Sequence, residues 1–148
     1  MSVKRPPRIG LSANFFHADP TRPVFKGKTL LYVELGGSPV IHKYDLLTQT
    51  PLAFSVLGHA PKWSPNGQRI AFNQAGRIML MNADGSNVQG VTPVGSSYGL
   101  NIDWSPDGLW LVVAALGGRP AVIELSTGLI LPLSPITNVD VQAYAWKP

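Results

Sequence analysis

Apolar residues in this chain come in short runs separated by turns rich in glycine, proline, asparagine and aspartate. Ile70-Ala71-Phe72 is followed by the polar Asn73-Gln74-Ala75-Gly76, then by Ile78-Met79-Leu80-Met81, the turn Asn82-Ala83-Asp84-Gly85, and Val88-Gln89-Gly90-Val91. Runs of this length bounded by turn formers predict strands, and no segment carries the 3.6-residue period over the length of a helix. Because the runs are near-continuous instead of strictly alternating, they predict sheets covered on both faces.

The pattern recurs. Lys62-Trp63-Ser64-Pro65-Asn66-Gly67 opens the segment above, and Asp103-Trp104-Ser105-Pro106-Asp107-Gly108 opens the next, 41 residues further on. Behind Gly108 come apolar runs at residues 109–114, 121–125 and 129–133, with Ser126-Thr127-Gly128 standing where Ala83-Asp84-Gly85 stood. Trp146-Lys147-Pro148 begins a further copy, 42 residues after Trp104. Upstream, residues 27–33 match the segment from Gly67 but are preceded by Pro23-Val24-Phe25 in place of Trp-Ser-Pro, so the innermost strand of this first unit is degenerate.

Four strands per repeat at a period near 40 predict an all-β fold, a β-propeller with one four-stranded antiparallel blade per repeat. A β-sandwich would also bury its strands, but gives no reason to repeat Trp-Ser-Pro at that period. The expected organisation is a basic arm with room for an accessory strand at residues 1–20, blade 1 at about 21–56, blade 2 at about 57–97, blade 3 at about 98–137, and a surplus innermost strand at 138–148.

The repeated pentapeptide has a mechanical reading. Pro65 and Pro106 preset φ for the first turn position, Asn66 and Asp107 suit the second, and Gly67 and Gly108 take the positive φ that closes the hairpin. Trp63, Trp104 and Trp146, one per innermost strand, are expected to fill the space between neighbouring blades.

Trp-Ser-Pro-Asp/Asn-Gly, the strand Arg69-Ile70-Ala71-Phe72 and Met81-Asn82-Ala83-Asp84-Gly85-Ser86 together resemble the WD-like repeat of TolB-type propeller proteins, over roughly residues 23–148. The likeness is specific in the second repeat, good in the third and weak in the first. It implies a mostly six-bladed ring that serves as a protein-interaction platform; related repeats build the gating propellers of prolyl-oligopeptidase-type enzymes. With about half those blades, the chain is expected to close its ring as a homodimer, the strand ending at Trp146 pairing into the partner's first blade.

Composition sharpens this picture. With 45% apolar and 14% charged residues, an open half-ring leaves apolar faces bare, and such faces mark association. The absence of cysteine excludes disulfides and thiolate metal sites. The net charge of +4 is concentrated near the start, where Lys4, Arg5, Arg8, Arg22, Lys26 and Lys28 face Asp19 alone. Without interleaved aromatics this arm reads as a solvated tail, with nucleic-acid binding ranked last. No run reaches membrane-spanning length and no apolar stretch follows the basic start, so the chain reads as non-spanning and unexported, with the cytoplasm favoured.

Candidate chemistry is sparse. His17, His42 and His59 are too scattered for a local metal motif, no phosphate-binding glycine loop is present, and Glu34 and Glu124 with the six aspartates form no carboxylate pair by spacing. Gly10-Leu11-Ser12-Ala13-Asn14 lacks the last glycine of a nucleophile elbow. No catalytic residue, cofactor or metal is expected. Binding is placed instead on the loops that enter each innermost strand and join its second and third strands, which emerge on one side because successive strands alternate direction. The candidates are His59, Asn73, Arg77, Tyr98 and Arg119, presenting a channel mouth to a protein or peptide. The alternative is a regulatory propeller of a prolyl-oligopeptidase-type hydrolase.

Overall fold

The computed structural model describes residues 24–115 and 120–133, which form twelve strands. In order these are β1 (Val24–Lys26), β2 (Thr29–Glu34), β3 (Val40–Asp45), β4 (Thr50–Leu57), β5 (His59–Trp63), β6 (Arg69–Gln74), β7 (Arg77–Asn82), β8 (Gln89–Gly90), β9 (Tyr98–Trp104), β10 (Trp110–Ala115), β11 (Pro120–Glu124) and β12 (Ile130–Pro132). They make three four-stranded sheets, β1–β4, β5–β8 and β9–β12, each an antiparallel meander paired in chain order. These are propeller blades, and the fold is all-β as the repeat predicts. The arm at residues 1–20, Arg119, and the strand expected around Trp146 lie outside the described residues.

The innermost strands differ. β1 covers β2 only from Val24↔Leu31 to Lys26↔Thr29, three residues against five in β5 and seven in β9. Both longer strands carry an irregularity near their first residue. Ala60 and Pro61 of β5 together oppose Phe72, and residues 99–101 of β9 oppose Ala114. Bulges of this kind bend a strand and re-aim what precedes it.

Stacking buries both faces of the middle sheet. Ile70, Phe72, Met79 and Met81 pack against Leu31 and Ile41 of the first sheet, with Val33, Phe54, Val56 and Trp63 at the margin. On the other face, Ala71, Ile78 and Leu80 pack against Ile102, Trp104, Leu111, Val113, Ala121 and Ile123 of the third. The continuous runs Ile70-Ala71-Phe72 and Ile78–Met81 follow from this, since adjacent residues point to opposite, equally dry sides. Each large side chain so buried contributes about 1.5–3 kcal/mol.

Trp104 is 5% exposed, and its Nε1 donates to the Lys62 carbonyl across the blade boundary at 3.1 Å. The Arg69 guanidinium lies 5.2 Å from the Trp104 ring centroid and donates through Nη2 to the Gly108 carbonyl at 3.0 Å. Trp63 is half-buried, with the Lys43 ammonium 5.4 Å from its centroid. Lys26 plays a related part at the turn below Trp63, donating to the Pro65 carbonyl and lying over Gly67.

The pentapeptide turn depends on a residue that turn statistics leave unremarked. Ser64 and Ser105 are buried, at 2% and 3% exposure. The Ser105 hydroxyl accepts from the Trp110 N–H at 2.9 Å and donates to Asp107 Oδ1 at 2.5 Å, while Asp107 also accepts from the Leu109 N–H. Ser64 repeats this with the Arg69 N–H and Asn66 Oδ1, at 2.9 and 2.8 Å. Gly67 and Gly108 both take φ of +72°. The prolines start the turn, the glycines reverse it, and the serines fasten it.

Two expectations follow. Trp104→Ala should lower stability by about 3–5 kcal/mol in urea denaturation, the cost of a large cavity plus lost burial. The exposed turn carboxylates of Asp45, Asp84, Asp107 and Glu124 are all held below the usual range, by the Thr48 N–H at Asp45 and by the hydroxyls of Ser86, Ser105 and Ser126 at the others. A carboxylate depressed in the folded state contributes stability above its unfolded pKa, and that stability is lost as pH falls through the folded value. Thermal unfolding followed from pH 7 down to strongly acid conditions should show the loss, with a shallower acid slope in Asp107→Asn, whose amide the equivalent Asn66 shows the turn accepts.

Candidate functional site

Successive strands alternate direction, so the starts of β5 and β9, the β6–β7 hairpin and the β2–β3 connection all lie on one side of the stack. Four contacts lock these loops together. Gly58, the link from β4 to β5, donates its N–H to the Pro39 carbonyl at 2.9 Å. Gln74 Nε2 donates to the Leu57 carbonyl at 2.9 Å. The Tyr98 N–H donates to the Gly76 carbonyl at 2.8 Å. Finally, a Cβ on Gly76 would stand 2.8 Å from the Ser96 carbonyl oxygen, so two loop backbones touch where only glycine fits.

The β6–β7 hairpin closes in two residues between Gln74 and Arg77. Ala75 and Gly76 take φ of +51° and +83°, the pair of positive values that matches the strand twist in such turns.

Asn73 corrects an expectation. Placed by sequence in an exposed loop, it is the fifth residue of β6 and 1% exposed. Its Nδ2 donates to the Tyr98 and Gly99 carbonyls, each at 2.9 Å, and its Oδ1 accepts the Gly76 N–H at 2.9 Å. The irregularity in β9 turns those two carbonyls toward the neighbouring blade, and a buried carbonyl must find a donor. Asn73 supplies it and clamps the two blades together.

His59 and Tyr98 begin the two innermost strands and stand beside this clamp. His59 is the cross-strand partner of Asn73, and Tyr98 bonds it directly. Both are half-buried. Burial holds the His59 imidazole below its ordinary pKa and so favours the neutral ring. Among the described residues nothing hydrogen-bonds its two nitrogens.

Arg77 goes elsewhere. Its Nε donates to the Thr92 carbonyl at 2.7 Å and its guanidinium lies flat on Gly90, where a Cβ would stand 2.0 Å from Cζ. The structure thus gathers His59, Asn73 and Tyr98 and directs Arg77 outward over β8.

Sequence reading, attentive to polar groups, passed over the exposed apolar side chains on this side. Leu35, Leu57 and Val94 are 64%, 55% and 84% exposed. The signal was their place in turn-rich connections, where an aliphatic residue has no structural duty. The charges divide between the two sides. Asp45, Asp84, Asp107 and Glu124 occupy the opposite turns, while Glu34 at the loop side is paired with His42 at 3.0 Å, whose ring stacks on Tyr32. Among the described residues no three histidine, aspartate or glutamate side chains converge as a metal would need.

No known sequence family and no curated protein matches the chain. Solved structures do. A TolB-type protein from Agrobacterium tumefaciens superposes with a TM-score of 0.60 at 21% identity, over 72% of this chain and 45% of that one. A chain of the nidogen/laminin complex gives 0.59 at 16% identity, over 74% and 45%. The acylaminoacyl peptidase of Pyrococcus horikoshii gives 0.56 at 15% identity, over 76% and 25%. The chain therefore spans less than half the length of each, and the likeness is one of fold.

Asn73→Leu, close in size but without the amide, should leave the Tyr98 and Gly99 carbonyls unpaired and cost about 1–3 kcal/mol. Hydrogen exchange should show the loss concentrated in the loop at residues 94–98, with the β10–β11 ladder keeping its protection.

Proposed function

We propose that the chain is a non-enzymatic propeller scaffold whose loop face binds a protein or peptide. The observation that carries this reading is the contrast within that face. Its backbone is clamped by Asn73, Gly76 and Gln74, yet it holds Leu35, Leu57 and Val94 out to solvent beside the half-buried His59 and Tyr98. Exposed apolar side chains on a rigid base keep the ordering cost of binding low, and Tyr98, held by its packing against the core of the second and third sheets, supplies an aromatic anchor. The partner that fits is an uncharged, partly apolar segment whose backbone hydrogen-bonds to the neutral His59 and to the Tyr98 hydroxyl.

The similar peptidase structures favour a second reading, a propeller region that guards a hydrolase. It places the catalytic groups outside these blades; a transcript whose frame continues into a hydrolase domain would support it.

Selection from a displayed peptide library against the purified protein tests the first reading. Enriched peptides should lose about tenfold or more in affinity to Tyr98→Ala and Leu57→Ser. They should be insensitive to Leu109→Ser on the opposite turns. Peptides that respond to Leu109→Ser alone, or to neither set, would remove the loop face from the function.

A further inference from the structure

The join between the first two sheets is short and strained. β4 ends at Leu57 and β5 begins at His59, so Gly58 alone connects the blades, whereas residues 91–97 connect the second to the third. Gly58 takes a φ of +149°, and a Cβ there would stand 2.6 Å from the Phe72 ring and 2.9 Å from the Asn73 carbonyl oxygen. Two residues on, Ala60 is 4% exposed inside a strand yet has a φ of +52°, the left-handed region that an L side chain disfavours.

The boundary that this join closes is tied differently among the described residues. Val33 holds the place that Asn73 holds in the next sheet, so no equivalent buried amide crosses here. The hydrogen bonds from Lys26 to the Pro65 carbonyl and from Gln74 to the Leu57 carbonyl lie at exposed positions. Lys43 is 7% exposed within the boundary, its ammonium 4.1 Å from the Phe54 ring centroid and 5.4 Å from that of Trp63. Among the described residues no carboxylate comes within ion-pair distance of it. Asp84, beyond that distance, attracts it, and the rings recover only part of its lost hydration.

The face behind this boundary cannot be left open. Ile70, Phe72, Met79 and Met81 would all meet water if the first blade moved away, a patch that only an equivalent blade covers well. The first blade meanwhile keeps its internal ladder of β2, β3 and β4 wherever it docks. A one-residue hinge with a left-handed alanine beside it, a boundary whose described hydrogen bonds are exposed and an apolar surface shaped for a blade are the conditions for exchange between identical chains.

We propose that two copies of this chain swap their first blades, residues 57–60 opening so that β4 runs straight into β5 and each first blade docks on the partner's Ile70, Phe72, Met79 and Met81. The exchanged dimer keeps every contact of the monomer except at the hinge, where it relieves Ala60. It is a different association from ring closure, which uses the outer sides of the first and third sheets.

Light scattering on a size-exclusion column, after the protein is concentrated in mild denaturant and returned to buffer, tests this. The expected species has twice the 15.9 kDa chain mass and persists on dilution, because reverting requires the boundary to reopen. Inserting four Gly/Ser residues after Gly58 should lower the dimer fraction about tenfold or more by letting the blade fold back unstrained. Ala60→Gly, which keeps the hinge length, should act in the same direction and serves if the insertion fails to fold. A monomer at every concentration overturns the proposal, and so does a dimer that neither variant alters.

Discussion

A sheet that is apolar on both faces has no stable existence alone in water, and the middle blade is such a sheet. Ile70, Phe72, Met79 and Met81 look one way and Ala71, Ile78 and Leu80 the other, so β5–β8 persists only between two neighbours. Each neighbour must present a matching face at the same spacing, and the repeat of about 40 residues supplies one. The stack and the burial of Trp104 between sheets descend from this requirement.

Stacking alone would let blades slide, since apolar contact has no direction. Direction comes from a few polar groups at the boundaries. Trp104 reaches back to the Lys62 carbonyl, Arg69 reaches forward to the turn at Gly108, and Asn73 takes two carbonyls of the next innermost strand. The first boundary is built differently. Val33 replaces the amide, Lys43 carries a charge into the gap, and the hinge at Gly58 and Ala60 takes up strain.

The loop face inherits its rigidity from these ties. Asn73 is at once the fastening between blades and the floor beneath His59 and Tyr98, so the stability of the second boundary and the shape of the candidate site are one property. Fixed loops holding exposed leucine and valine side chains keep the cost of ordering on contact low.

How much of this was legible in the sequence follows from the range of the interactions involved. Turn chemistry is local. Pro65, Asn66, Gly67 and their counterparts act within five residues, so the hairpins and the four-stranded repeat could be read directly. Face-to-face burial leaves a trace in composition, so the doubly covered sheets could be read as well. The burial of Asn73 and the outward course of Arg77 could not. Each depends on a partner whose position is set by another strand or blade, and an asparagine after an apolar run looks the same whether it meets solvent or two turned carbonyls. The period, the strands and the turns are written in the order of residues, because they rest on neighbours along the chain. Which polar groups clamp and which side chains stay exposed follow from packing between strands and blades, which joins residues far apart in the chain, as Asn73 to Tyr98 across 25 positions and Trp104 to Lys62 across 42.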